Sequence, residues 1–133
     1  MTTFLLVHGA FHSGWCWHRL AEELAALGHH SVRPDLPCDD PAAGLPAYAE
    51  AAVAALAASG VGPDVDDVVV VGHSLGGFTA PLVAQQRAVR GLVLLCTAPI
   101  LDASTGEELR ARMVTDDYLG TPRFVDAAGR HLF

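Results

Sequence analysis

The sequence predicts an α/β fold, a parallel sheet with helices on both faces in a three-layer sandwich. Two observations carry this. Short β-rich apolar runs alternate with longer segments of helical spacing, in the order β-α-β-α-β-α-β. The runs at residues 68–71 and 92–96 are apolar at every position, as suits strands covered on both faces in a parallel sheet. Parallel strands of this kind are joined by right-handed crossovers.

Residues 3–7 run straight into His8-Gly9-Ala10 and read as a buried strand ending in a turn. In the next segment Ser13 can cap a helix, Leu20, Leu24 and Leu27 recur at helical spacing, and Gly28 suits the position just past its end. Residues 31–34 form a second short strand. Residues 35–46 are rich in Pro, Asp and Gly and read as loop. Pro46 suits the first turn of an Ala-rich helix that runs to about Ser59 and stops at Gly60. Residues 68–71 give the third strand, 75–86 the third helix and 92–96 the fourth strand. Further on, Ser104-x-x-Glu107 and Thr105-x-x-Glu108 match capping boxes that open a helix to about Met113. Residues 124–125, a turn at 126–129 and residues 131–133 read as a hairpin.

With 133 residues, 51% of them hydrophobic, and a mean hydropathy of +0.33, the chain suits one domain with a real core. Its apolar runs fall far below the ~20 residues of a membrane-spanning helix. Residues 1–7 lack the basic region and cleavage site of a signal peptide. A net charge of −7 argues against a nucleic-acid backbone as partner. Cys16, Cys38 and Cys96 are widely spaced, without CxxC pairs, so neither a disulfide framework nor a zinc site is expected. They read as small buried or half-buried thiols. The expected location is the cytoplasm, with neither membrane nor nucleic acid as partner.

The chemistry is carried by Gly72-His73-Ser74-Leu75-Gly76. It fits G-x-S-x-G and lies between a strand and a helix, the context this motif requires. The spacing predicts that Ser74 sits in a strained backbone conformation on a tight turn. Glycines two residues to either side are expected because side chains there would collide with the serine. The turn lifts Oγ to the N-terminus of the following helix, whose dipole favours developing negative charge. The competing reading, a helix cap with ordinary turn glycines, is opposed by this context and by a second motif. That motif is His8-Gly9-Ala10 at the end of the first strand. The N–H groups of Ala10 and Leu75 are the candidate oxyanion hole, and losing one such donor costs about 3–4 kcal/mol of barrier. The His8 side chain reads as structural. Phe11 and His12 are candidates for the pocket mouth, and Trp15 and Trp17 read as packing anchors of the first helix.

Residues 6–17, Gly28-His29, Asp35-Leu36-Pro37 and Gly72-His73-Ser74-Leu75-Gly76-Gly77 together resemble the plant-esterase and hydroxynitrile-lyase branch of the α/β-hydrolases. The resemblance covers about residues 3–100. It implies residues 1–101 as the N-terminal half of an α/β-hydrolase core and 102–133 as the start of a lid or an irregular tail. Hydroxynitrile lyases carry threonine where this chain has Gly9, and use a lysine near the C-terminus. This chain contains no lysine, so the esterase side is favoured.

A serine hydroxyl needs a general base, usually a histidine oriented by a carboxylate. The family order is Ser, then Asp or Glu, then His, and nothing after Ile100 matches either position. His131 reads as a hairpin residue; Asp102, Asp116, Asp117 and Asp126 read as helix caps or solvated loop. The fourth strand is apolar on both faces with no later strand evident to cover it. Three explanations stand: a chain truncated after the fourth strand, a homodimer or other association through the sheet edge, or a tail folded back over it. The first is favoured. The expected function is hydrolysis of a small ester-like substrate through an acyl-enzyme on Ser74, without metal or organic cofactor. The alternative is a non-catalytic ligand-binding or oligomerising remnant; a hydroxynitrile-lyase-like reaction ranks below both.

Overall fold

The computed structural model describes residues 1–97, 124–125 and 131–132. Strand β1 (Thr3–Val7) leads through a 3-10 turn (Gly14–Trp17) into helix α1 (His18–Ala26) and strand β2 (His30–Val32). Helix α2 (Leu45–Ala58), strand β3 (Val68–His73), helix α3 (Gly76–Gln86) and strand β4 (Gly91–Leu95) follow. The four strands form a parallel sheet in the order β2-β1-β3-β4. This is the α/β architecture expected from the alternation of runs.

The period-2 alternation of a strand assigns each side chain to a face. Leu5, Val7, Val68 and Val70 pack with Ala49, Ala52 and Leu56 of α2 and Ala80 and Val83 of α3. Leu6 and Val71 point the other way and pack with Trp17 and Leu24, with Phe4 and Val69 alongside. One layer is therefore α1, and the opposite layer is α2 with α3. Alanines at the α2 interface add little bulk between helix and sheet.

The strand order places a switch point between β1 and β3. The chain steps from β1 outward to β2, then crosses back over β1 to β3 and moves away to β4. Loops leaving the C-terminal ends of β1 and β3 thus part toward opposite faces and leave a crevice, the place where ligands bind in open α/β sheets. At the other end of the sheet, Arg90 reaches Asp67 at 2.9 Å and Thr2 Oγ1 at 3.3 Å. The hydrogen bond from Arg90 holds the Asp67 carboxyl below its ordinary range. Buried Arg87, just past α3, donates to the carbonyls of Gly62, Val65 and Ala88 and ties that helix end to the loop before β3.

The approach of α3 to β1 is very close. A methyl group on Gly76 would lie 2.4 Å from the Val7 carbonyl oxygen and 2.6 Å from that of His8. Gly28 (φ 78°) and Gly60 (φ 86°) adopt the left-handed conformation just past α1 and α2, as expected for helix stops.

Several expectations need correction. Ser13 caps the 3-10 turn, accepting from Trp15 N–H at 3.3 Å, and α1 starts only at His18. Trp17 and Leu24, two turns apart, take the buried stripe, so Leu20 is partly exposed and Leu27, beyond the helix end, is 73% exposed. Trp15 is 72% exposed and stacks on His18 at 4.5 Å, so only Trp17 is a packing anchor. Strand β2 ends at Val32, two residues before Pro34, which cannot donate to a ladder. Strand β4 spans Gly91–Leu95; Cys96 leaves it with φ 50°. Cys38 and Cys96 are exposed thiols and Cys16 is partly buried.

Among the described residues β2 and β4 are the two sheet edges, and in β4 Leu92, Val93, Leu94 and Leu95 are each 37–40% exposed. No helix among the described residues is long and apolar enough to cross a membrane. The chain divides into compact units Met1–Pro99 and Ile100–Phe133. In the second, strands β5 (Phe124–Val125) and β6 (His131–Leu132) pair antiparallel, as the expected hairpin requires. The helix expected from the capping boxes to Met113 lies outside the described residues.

Two stability measurements check this packing. Leu24→Ala is expected to cost about 2–4 kcal/mol in urea unfolding, whereas Leu27→Ala stays within about 0.5 kcal/mol. Equal losses would contradict the assigned face of α1. A tolerated Gly→Ala change normally stabilises by about 0.4–1 kcal/mol. Gly76→Ala should instead destabilise by about 1–3 kcal/mol, because its methyl meets two backbone oxygens.

Candidate active site

The site forms where the β1 and β3 loops part. Ser74 follows the last residue of β3, is separated from α3 by Leu75 alone, and has φ 51°. For a residue with a side chain this left-handed conformation is uncommon and costs of order 1–3 kcal/mol. The surroundings hold it there. Ser74 N–H donates to the Leu95 carbonyl at 2.9 Å, and the Ser74 carbonyl accepts from Gly77 N–H at 2.9 Å. The peptide groups on both sides of the serine are thus bound, one to β4 and one to the first turn of α3.

The elbow glycines each stand where a methyl group would overlap a neighbour. A methyl on Gly72 would meet the Gly76 carbonyl oxygen at 2.5 Å and Gly77 Cα at 2.8 Å. Gly76 faces the β1 carbonyls and Gly77 faces the Thr97 side chain. The nearest atoms such methyl groups would meet are backbone atoms and the Thr97 side chain. Their role is to let strand, helix and neighbouring strand cross at van der Waals distance.

The second loop reaches the serine through Gly9. A methyl there would lie 3.1 Å from Ser74 Cβ and 3.1 Å from His73 Nδ1. The loop then turns sharply, with Phe11 at φ 62°. Phe11 is 64% exposed, and the His12 ring meets the His73 ring edge-on at 6.2 Å. The Trp17 ring also meets His73 edge-on, at 6.3 Å, and its buried indole N–H has no acceptor among the described residues. So Gly9, His12, His73 and Ser74 come together, as do the elbow glycines. The amides of Ala10 and Leu75 have no acceptor among the described residues. Among the described residues there is no metal-binding cluster. His131 is described only as backbone of β6, and Asp102, Asp116, Asp117 and Asp126 lie outside the described residues.

Sequence reasoning assigned His8 a structural role without seeing its partners. The ring is 1% exposed. Its Nε2 accepts from Leu36 N–H at 3.0 Å, and its Nδ1 lies 2.8 Å from the Gly9 carbonyl oxygen. A backbone N–H can only donate, so Nε2 is the bare nitrogen and Nδ1 carries the proton. Farther along the loop, Gly14 N–H donates to Asp35 Oδ1 at 2.7 Å, and a methyl on Gly14 would strike the Arg33 carbonyl at 2.3 Å. Both ends of the 8–14 loop are therefore tied to residues 33–36. The Asp35-Leu36-Pro37 string was the available signal, but its partners, more than twenty residues away, are not written in it.

Comparison with known proteins agrees with this arrangement. Residues 4–133 match the model of the Alpha/beta hydrolase family. Lipase LipV of Mycobacterium tuberculosis is 40% identical over 131 residues, covering 93% of this chain and 46% of the relative. Methylesterase 7 of Arabidopsis thaliana is 36% identical over 88 residues, covering 61% of this chain and 33% of the relative. A solved polyneuridine aldehyde esterase variant superposes with a TM-score of 0.68 at 24% identity, over 92% of this chain and 55% of its own. The chain spans a third to a half of the length of such curated relatives, 33% in one and 50% in another. The elbow after β3, the loop after β1 and the family match over residues 4–133 lead to one conclusion: this chain belongs to the Alpha/beta hydrolase family.

Proposed function

We propose that this chain supplies the nucleophile half of a serine hydrolase that cleaves small carboxylic esters through an acyl-enzyme on Ser74. The single observation behind this reading is the Ser74 backbone at φ 51°, held between β3 and α3 with Gly9 of the β1 loop against it. Such a turn exposes the hydroxyl and sets it at the N-terminus of α3, where partial positive charge accumulates.

In the reaction, Ser74 Oγ attacks the ester carbonyl carbon as its proton passes to a base. The tetrahedral intermediate then expels the alcohol, which takes up that proton. Water attacks the acyl-enzyme, and the acid leaves as Ser74 regains its proton. Negative charge gathers on the carbonyl oxygen in both steps. The N–H groups of Ala10 and Leu75, without an acceptor among the described residues, support their assignment as its donors, acting where that charge is largest. Gly9 brings no hydroxyl beside Ser74, which supports ester hydrolysis over a lyase reaction that uses a threonine there. Phe11 and His12 line the mouth on this reading. The base and its carboxylate come from outside the described residues. The domain division follows, with residues 1–101 as the first half of the core and 102–133 as the start of the lid or a tail.

A fluorophosphonate probe tests this directly. Intact-protein and peptide mass spectrometry should find one adduct, on Ser74, absent from Ser74→Ala. Folded protein that gains no adduct, or gains one elsewhere that survives Ser74→Ala, would reject the reading.

A further inference from the structure

A peptide plane has two ends. The Gly9 carbonyl and the Ala10 N–H belong to the same peptide group, and no peptide bond among the described residues is cis. In a trans peptide the two point in opposite directions. The Gly9 carbonyl is gripped by His8 Nδ1–H at 2.8 Å. Its direction therefore fixes that of the Ala10 N–H, which must point away from the His8 ring. The ring is fixed in turn, because Leu36 N–H occupies Nε2 at 3.0 Å and the side chain is almost fully buried. Leu36 belongs to the segment that also anchors Gly14 through Asp35.

The geometry points to His8 as a positioning residue for the reaction: its neutral, Nδ1-protonated ring locks the rotation of the 9–10 peptide and aims the Ala10 N–H at the oxyanion. This rests on the serine-hydrolase reading above. The segment 33–36, which touches no reacting atom, becomes the anchor of one of the donors. A glycine at position 9 makes such a lock necessary. Glycine rotates freely where other residues do not, and it is used here because a side chain would crowd Ser74 and His73. The peptide most in need of restraint thus has a side chain bonded to it from the preceding residue.

Two substitutions separate aiming from mere stability. In His8→Asn, the amide NH2 falls near the Nδ1 position and can still donate to the Gly9 carbonyl, while Leu36 N–H is orphaned. In His8→Gln, the amide oxygen falls near the Nε2 position and can still accept from Leu36, while the Gly9 carbonyl is released. Each loses one buried hydrogen bond, so both should melt below the parent by similar amounts. Phosphonylation by a fluorophosphonate also builds charge on an oxygen facing the hole, so its rate reads the aim of the donor. The expected result is a maximal rate for His8→Gln roughly 10- to 100-fold below the parent, with the half-saturating probe concentration unchanged, and a rate for His8→Asn within about fivefold. Folded variants that both react like the parent, or both slow only in step with their unfolded fraction, overturn the role of His8 and leave the hydrolase reading intact. A parent protein that is not labelled at Ser74 overturns both.

Discussion

The fold depends on one close crossing. Gly76, at the start of α3, rests on the carbonyl oxygens of Val7 and His8, and Gly72, near the end of β3, rests on Gly76. No side chain intervenes at either contact. The end of β1, the end of β3 and the start of α3 are thereby drawn to within van der Waals distance, so Ser74 has nowhere to go but out of the sheet. Its left-handed backbone follows from that confinement, and bonds to Leu95 and from Gly77 hold it.

The same crossing brings the β1 loop into reach. Gly9 is the third small residue at this point, facing Ser74 and His73 as Gly72 and Gly76 face backbone. Each glycine removes bulk but also adds conformational freedom, and that freedom must be restrained from elsewhere. On the β3 side the restraint is the helix and the β4 ladder. On the β1 side it is His8, Asp35 and Leu36, reaching across from the segment after β2. Strand order makes this economical: β2, β1 and β3 are neighbours, so the anchoring loop and the nucleophile flank the same strand.

Much of this was legible in the residue pattern, for identifiable reasons. Strands apolar at every position and helices at 3.6-residue spacing are local signals, and they gave element order and layers. The G-x-S-x-G string carries its own context in the flanking Val-rich strand. Less local facts were not readable. Which leucines of α1 face inward depended on the 3-10 turn that delays the helix and lets Trp17 take the first buried position. The partners of Gly76 are the Val7 and His8 carbonyls at the end of β1, which the pentapeptide does not mention. His8 read as structural with no partner named, because its partners are the carbonyl of the next residue and an amide 28 residues away. Exposure of Cys38 and Cys96 likewise reflects where loops lie, not what the residues prefer.

The central claim is spatial: two amides from separate loops face a single point in front of the Ser74 hydroxyl. A crystal structure of the protein with a phosphonate bound to Ser74 tests it most directly. The account requires the phosphoryl oxygen to lie about 2.7–3.1 Å from the backbone nitrogens of both Ala10 and Leu75. An adduct whose oxygen faces solvent, or meets only one of those nitrogens while the Gly9 carbonyl has swung off His8, would contradict it.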